Sequence, residues 1–338
     1  MSNTPHVVKD KKAAPEDAHL DAALRPHSWN EYIGQNHVKR NLGILLDAAK
    51  QRGEPIEHLL FHGPAGLGKT SLAYLVAREF NTNIRISSGP ALERVGDLAA
   101  ILTNLLPNDI LFIDEAHRMN KLIEEVLYPA MESRTLDIII GKGPSARTLQ
   151  LDLPPFTLIA ATTRIGLLSG PLRSRFGATF RLDPYSPEDI GLIIKQSAGI
   201  LKIGIAPDAV GVIARAARST PRVANRLLKR VRDYAQVHNN GTVTTDVAEC
   251  ALRLLDIDHL GLELMDRKIL TVLAEKFNGG PVGLRTLAAA AEEEDETVED
   301  VYEPYLMQLG FLERTPRGRI ITPAARRHLG LTSSPQLF

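Results

Sequence analysis

The sequence predicts an α/β fold: a parallel sheet with helices on both faces, then an all-helical segment, then a smaller mixed C-terminal segment. Three features of the pattern carry this. Short apolar runs alternate with amphipathic stretches from about residue 57. The strand pattern stops after Asp183-Pro184-Tyr185-Ser186-Pro187, and the character changes again near Asp256-Ile257-Asp258.

In the first segment HLLF (58–61), ILFID (110–114) and FTLIAATT (156–163) read as buried strands. Between the first two, SLAYLVAREF (71–80) puts Leu72, Leu75, Val76 and Phe80 on one helical face. Strands that alternate with helices form parallel sheets buried on both sides. The stretch from Met131 to Pro154 is too long for a simple connection. Leu136 to Ile140, Gly141-Lys142-Gly143-Pro144 and Ala146 to Leu153 read as strand, glycine turn and return strand, inserted before the third core strand.

From 187 to about 256 the chain is rich in Ala, Leu and Arg at helical spacing and has no convincing strand. Ser186-Pro187-Glu188-Asp189 is a helix start, with a cap, proline at N1 and acids in the first turn. The last segment holds two helical stretches, an acidic helix beginning at Thr297-Val298-Glu299-Asp300, and the hairpin GFLE-RTPRG-RIIT. The domains expected are therefore a polar, mobile arm (1–20), an α/β domain (21–186), a helical domain (187–257) and a C-terminal domain (258–338).

Composition narrows the class. The 338 residues carry 40 basic and 40 acidic side chains, so no bulk field draws the chain to nucleic acid or membrane; any such site must be local. A single cysteine, Cys250, excludes an intrachain disulfide and fits a reducing compartment. No apolar run approaches the 18 residues of a membrane helix, and the N-terminus lacks the apolar core of a signal peptide. A cytoplasmic protein without a membrane partner is the expectation.

Residues 63–70, GPAGLGKT, match G-x-x-x-x-G-K-[ST] through Gly63, Gly68, Lys69 and Thr70. Glycines let backbone N–H groups curl around a phosphate, and the helix that follows turns its positive end to the same anion. Lys69 can reach the β- and γ-phosphates, and the Thr70 hydroxyl can ligate Mg²⁺. ILFIDEAH ends a buried strand in Asp114 and Glu115. An acidic pair there is costly unless it faces a site at the strand's carboxyl end. Asp114 would hold the metal through its water shell, and Glu115 would orient and deprotonate an attacking water, which makes the chemistry hydrolysis. Thr162 and Thr163 end the third strand, where a hydroxyl can meet the γ-phosphate or the water. In STPRVANR, Thr220 can cap and Pro221 take N1, leaving Arg222 in a first helical turn, where a cation opposes the dipole unless a phosphate favours it.

Together these residues resemble the AAA+ ATPases, and more closely the RuvB family of Holliday-junction branch-migration motors. The resemblance runs from about Leu24 to Leu331 through LRPHSWNEYIGQ, LLFHGPAGLGKTSLA, ILFIDEAHRMN, LYPAMESRTLDIIIGKGPSAR, ATTRIGLLSGPLRSRFG, TPRVANRLLKRVRDYA and VYEPYLMQLGFLERTPRGR. It implies an AAA+ core, a small helical lid and a C-terminal winged helix, with ATP and Mg²⁺ as cofactors. Leu24, Arg25, Tyr32 and Ile33 would lie near adenine and ribose. Gly63, Gly66, Leu67, Gly68, Lys69, Thr70 and Ser71 would hold the phosphates and metal, and Tyr185 and Arg222 would close the site. Arg175, in GPLRSRFG, resembles the arginine finger that reaches a neighbouring subunit, with Arg173 a helper or interface residue. That implies a homo-oligomeric ring, a hexamer in this family. Phosphate-loop positions that are often Pro-Pro are Pro64-Ala65 here, and His27 and Trp29 are bulkier than expected beside the adenine.

Two segments acquire a meaning from the same resemblance. Three isoleucines in the hairpin, Ile138, Ile139 and Ile140, would leave apolar surface on one face. That surface either packs on the parent domain or, as the family implies, docks the junction-binding protein RuvA across 134–153. The resolvase RuvC is a further implied partner. In the C-terminal domain, 292–303 carries eight acids and no base, and 314–327 five arginines and no acid. Arg314, Arg317 and Arg319 on the wing would contact the duplex arms of junction DNA, while Glu299, Asp300 and Glu303 would repel phosphate from the helix that usually reads bases. Two other roles fit parts of the pattern: a clamp-loader-type switch on DNA, and an ATP-binding DNA regulator without turnover.

Overall fold

A computed structural model describes residues 23–140 and 147–331. The chain forms two compact units: one reaches to Ile193 and includes Thr220–Arg222, and the other comprises Ile194–Ser219 and Val223 onward.

The first unit is built on five parallel strands in the order β2-β3-β6-β1-β7. These are β1 (Leu59–His62), β2 (Ile84–Ser88), β3 (Ile110–Asp114), β6 (Thr157–Thr162) and β7 (Ala178–Arg181). The three expected strands are its centre, and their side chains are almost wholly buried. The strands absent from the sequence reading are its two edges. In β2 Ile84 is buried, in β7 Phe180 is, and the remaining positions face partly outward. An edge strand buries too little to show as an apolar run.

Helices α1 (Asn36–Arg52), α2 (Lys69–Glu79), α3 (Val95–Leu102) and α4 (Lys121–Glu132) flank the sheet in chain order. On α2, Leu72, Leu75 and Val76 are buried as their spacing predicts. Asn120 caps α4, its side chain accepting from Ile123 N at 2.9 Å. The inserted hairpin is β4 (Thr135–Ile140) against β5 (Arg147–Asp152), with Ile138 opposite Leu149, Ile139 opposite Thr148 and Ile140 opposite Arg147. Its turn, the arm 1–20 and the side chains of Ile138, Ile139 and Ile140 lie outside the described residues. A short helix α5 (Gly170–Arg173) leads to β7.

Helix α6 (Pro187–Ile200) starts as predicted, Asp189 N donating to Ser186 Oγ at 3.1 Å. The helices α7 (Pro207–Ala216), α8 (Pro221–His238) and α9 (Thr245–Leu254) follow. This segment is not free of strands: β8 (Gly204–Ile205) pairs in parallel with β9 (Thr242–Val243). Two residues are too few to leave a period in the sequence.

The C-terminal part packs α10 (Leu264–Glu275), α11 (Leu284–Ala291) and a longer acidic helix around Ile269, Leu273, Leu287, Leu306 and Phe311. A hairpin closes it: β10 (Leu312–Thr315) pairs with β11 (Gly318–Ile321), and Val282 makes a single antiparallel bridge to Arg319. The expected cap at Thr297 is overturned. Thr297 is itself helical (φ −66°, ψ −43°), and the helix begins two residues earlier, at Asp295. It widens to a π-turn over Val298–Tyr302 before continuing as Glu303–Gln308. Pro304 explains the widening, because a proline ring collides with the carbonyl four residues back. A final helix, α12 (Pro323–His328), follows the hairpin. Among the described residues no helix is long and apolar enough to cross a membrane.

Candidate active site

β1 and β6 end in register at His62 and Thr162, and β2 and β3 at Ser88 and Asp114. Their carboxyl ends are where an open α/β sheet binds ligands. The loop after β1 turns through Gly63, Gly66 and Gly68 at φ values of 137°, 80° and 95°. At Gly63 a Cβ would sit 2.4 Å from the Leu182 carbonyl oxygen, so a side chain is excluded by space as well as by φ. At Gly68 a Cβ would lie 3.0 Å from the Tyr32 hydroxyl. The loop then opens α2, whose unpaired N–H groups face the cradle.

Lys69 is 7% exposed and donates through Nζ to the carbonyls of Gly63 at 2.8 Å and Pro64 at 2.7 Å. Burial pulls its pKa down to about 8; Asp114 opposes this and Arg222 adds to it. A half-desolvated cation beside a second cation is stabilised by an incoming polyphosphate. Thr70 Oγ1 donates to Asp114 Oδ2 at 3.2 Å. A hydroxyl and a carboxylate at this separation suit a hard, oxygen-seeking dication that keeps most of its water, so the pair fits Mg²⁺. Glu115 is exposed, and its left-handed backbone (φ 48°) swings it off the strand direction; Arg118 meets it at 3.2 Å. Ser71 is half-buried behind Thr70.

The two threonines of β6 differ. Thr162 is buried, and its hydroxyl meets His117 Nδ1 at 3.1 Å and accepts from Arg164 N at 3.0 Å. Thr163 is exposed at the strand end. The hydroxyl free to meet a ligand is therefore that of Thr163, and Thr162 holds the turn. His117 carries no sequence signal beyond lying three residues after Asp114.

Around the loop, Tyr32 and Tyr185 are buried with their hydroxyls 3.3 Å apart, and Tyr185 donates to the Leu67 carbonyl at 3.3 Å. Burial raises the pKa of both phenols. Leu24 and Leu67 are buried and Ile33 half-buried. Arg25 stacks over Tyr74 of α2 at 4.7 Å. His27 and Trp29 have scaffolding partners: Arg78 Nη1 lies 2.8 Å from His27, and Trp29 donates to Glu79 at 2.9 Å. Arg222 stands in the first turn of α8; its backbone N reaches the Gly66 carbonyl at 3.4 Å.

Arg175 follows α5 and is tied down on several sides. Nη2 is 3.1 Å from Glu132, Nη1 donates to the Pro171 carbonyl at 2.7 Å, and the guanidinium lies 4.5 Å over the Tyr128 ring. Arg173 is exposed.

On the wing two of the acids expected to repel phosphate, Glu299 and Glu303, are paired with arginines. Glu303, 0% exposed, accepts from Arg314 Nη2 at 2.6 Å and from Arg319 Nε at 2.6 Å. Arg314 also reaches Glu299 at 2.8 Å. Glu303 thus faces inward, and the repulsion expected of it is removed. Arg317 at the hairpin tip is exposed. Arg317→Ala is expected to weaken duplex binding and flatten its salt dependence by about one unit of slope, whereas Arg319→Ala leaves Glu303 buried without a full partner and destabilises the wing. Binding titrations across salt concentrations, with melting curves, separate the two.

Family models cover the chain almost end to end. Residues 24–182 match the Holliday junction DNA helicase RuvB P-loop domain, 185–258 the RuvB AAA lid domain and 259–330 the RuvB C-terminal winged helix domain. Among solved structures, the Thermotoga maritima RuvB Holliday junction branch migration motor is 49% identical over 92% of this chain and 100% of its own, with a TM-score of 0.84. A proline-to-glycine variant of that protein gives 49%, 92%, 100% and a TM-score of 0.85. Three domain matches in unbroken order, with identity near one half over nearly the whole length, leave one assignment: the chain belongs to the RuvB family.

Proposed function

We propose that this chain is an ATP-driven DNA motor that branch-migrates Holliday junctions. The observation that carries the reading is the match of all three domains around a phosphate loop with Lys69, Thr70, Asp114, Glu115 and Arg175 in place. Its working parts are an ATPase domain (21–186), a lid (187–257) and a winged helix (258–338).

ATP would lie with its base near Leu24, Arg25, Tyr32 and Ile33 and its phosphates along Gly63–Ser71. Binding would draw Lys69 from the Gly63 and Pro64 carbonyls onto the β- and γ-oxygens. Thr70 and Asp114 would hold Mg²⁺, which when bound neutralises charge between the β- and γ-phosphates. Glu115 would take the proton of the attacking water, and Thr163 would orient that water or the γ-phosphate. Arg222 and Tyr185 would close the site, and Arg175 would reach the γ-phosphate of the next subunit in a hexameric ring. Arg317 and the outer face of Arg314 would track duplex phosphates without reading bases, which suits a machine that must travel. RuvA would dock on the hairpin 134–153, RuvC would join the junction complex, and the cytoplasm is the compartment this chemistry fits.

The direct test is ATP-dependent dissociation of a synthetic four-way junction, with and without RuvA. Glu115→Gln should keep ATP binding and lose about 10²–10⁴ in phosphate release. Undiminished phosphate release would favour the non-hydrolysing regulator, and ATP turnover without junction dissociation a loading switch.

A further inference from the structure

We infer that one face of α4 positions the Arg175 guanidinium, with Glu132 and Tyr128 as positioning residues for the hydrolysis reaction. The inference rests on the reading of Arg175 as the arginine finger. Glu124, Tyr128 and Glu132 recur every fourth residue, so they share one face of α4 along two turns. Each grips the segment that ends in Arg175. Buried Glu124 accepts from Ser169 N at 3.3 Å. The Tyr128 hydroxyl is 2.9 Å from Ser169 Oγ, the same oxygen that caps α5 by accepting from Leu172 N at 3.3 Å. The Tyr128 ring lies 4.5 Å beneath the guanidinium, and Glu132 meets Nη2 at 3.1 Å. Pro171, inside the segment, takes Nη1 at 2.7 Å, while the buried Nε has no partner.

The arrangement matters because a long arginine side chain is otherwise floppy. A finger acting across a subunit boundary must already be in position when the neighbour's γ-phosphate arrives, and a shift of about 1 Å can cost 10²-fold in rate. Here a carboxylate fixes one edge of the guanidinium, a carbonyl another, and an aromatic ring fixes its plane. The guanidinium is ordered by its own subunit, with hydrogens remaining for a phosphate.

The test is steady-state ATPase on DNA, with nucleotide affinity measured separately using a fluorescent ATP analogue. Glu132→Ala and Tyr128→Leu should lower kcat by about ten- to a hundredfold with nucleotide Kd unchanged. Tyr128→Phe, which keeps the ring, should lose less than Tyr128→Leu, and Glu132→Gln less than Glu132→Ala. In an Arg175→Ala background, Glu132→Ala should cost nothing further. Glu132 is 57% exposed in its side chain, so its variants are expected to fold, and unchanged melting curves check this. A wild-type kcat in Glu132→Ala, a raised kcat, or a further loss in the Arg175→Ala background overturns the inference. An undiminished kcat in Arg175→Ala alone overturns the finger reading on which it stands.

Discussion

Rings assembled from equal parts of wild-type and Arg175→Ala subunits are expected to hydrolyse ATP at well under half the wild-type rate. The uniform Arg175→Ala protein should lose about 10³–10⁵ in kcat while binding ATP normally, the range for a finger supplied in trans. The argument starts from what each subunit already has. Lys69 and Arg222 are placed close enough that Arg222 depresses the pKa of Lys69, so one chain already sets two cations at its own phosphate loop. Arg175 lies beyond the end of β6, past the cap Ser169 and α5, on the packing face of α4. A third cation at that remove serves a neighbour better than its own site. On this reading each substituted subunit would disable the site next door, and where the sites of a ring fire in sequence one dead site would stall the others, so loss would outrun dilution. Measuring ATPase against mixing ratio checks this, and a strictly proportional decline would count against coupling between the subunits' sites.

What the sequence displayed and what it hid follow one physical division. The central strands were legible because burial on both faces writes an unbroken apolar run, as in ILFID, and the edge strands were not, because IRISS and ATFR bury one side chain each. Gly63, Gly68, Lys69, Thr70 and Asp114 were legible because phosphate and metal chemistry demands fixed types at fixed spacing. Tyr128, Glu132 and His117 were not, because their roles arise where a helix or turn packs against a segment 40 or more residues away. Glu303 misled for the same reason: within its own stretch it reads as one acid among eight, and packing makes it the buried counter-ion of two arginines. Thr297 misleads because a capping residue followed by acids reads as a helix start, whereas Asp295 and Glu296 already form the first turn.

Asp266→Ala is expected to destabilise the C-terminal part of the chain by about 3–5 kcal/mol, the cost of leaving a buried charge unpaired. Asp266 is 0% exposed, takes Arg218 Nη2 at 3.0 Å and accepts from Glu263 N at 2.8 Å at the start of α10. The Arg218 side chain is 12% exposed and its guanidinium stacks on Tyr305 at 4.4 Å. Removing the carboxylate therefore strands a desolvated guanidinium against an aromatic ring and frees an N-terminal amide. Desolvation outweighs the attraction of Arg218, so the Asp266 pKa is raised rather than lowered. The sign of the pH effect follows. A carboxyl raised above its ordinary 3.8 contributes stability that is complete below that pH and is lost as pH rises through the folded value. Wild-type stability should carry that falling component, and Asp266→Asn should lack it. Replacing both partners by apolar residues, Asp266→Leu with Arg218→Met, should cost less than either single change, because neither charge is then left alone. Amide hydrogen exchange along α10 reads the local opening free energy directly, without assuming that the whole chain unfolds in one step. Additive losses in the double variant would mean that the two charges are held by their separate surroundings and not by each other. Arg218 and Ser219 both take left-handed backbone conformations, at φ 52° and 54°, three and two residues ahead of Pro221-Arg222. The buried pair thus holds one of these two left-handed residues, Arg218, in place.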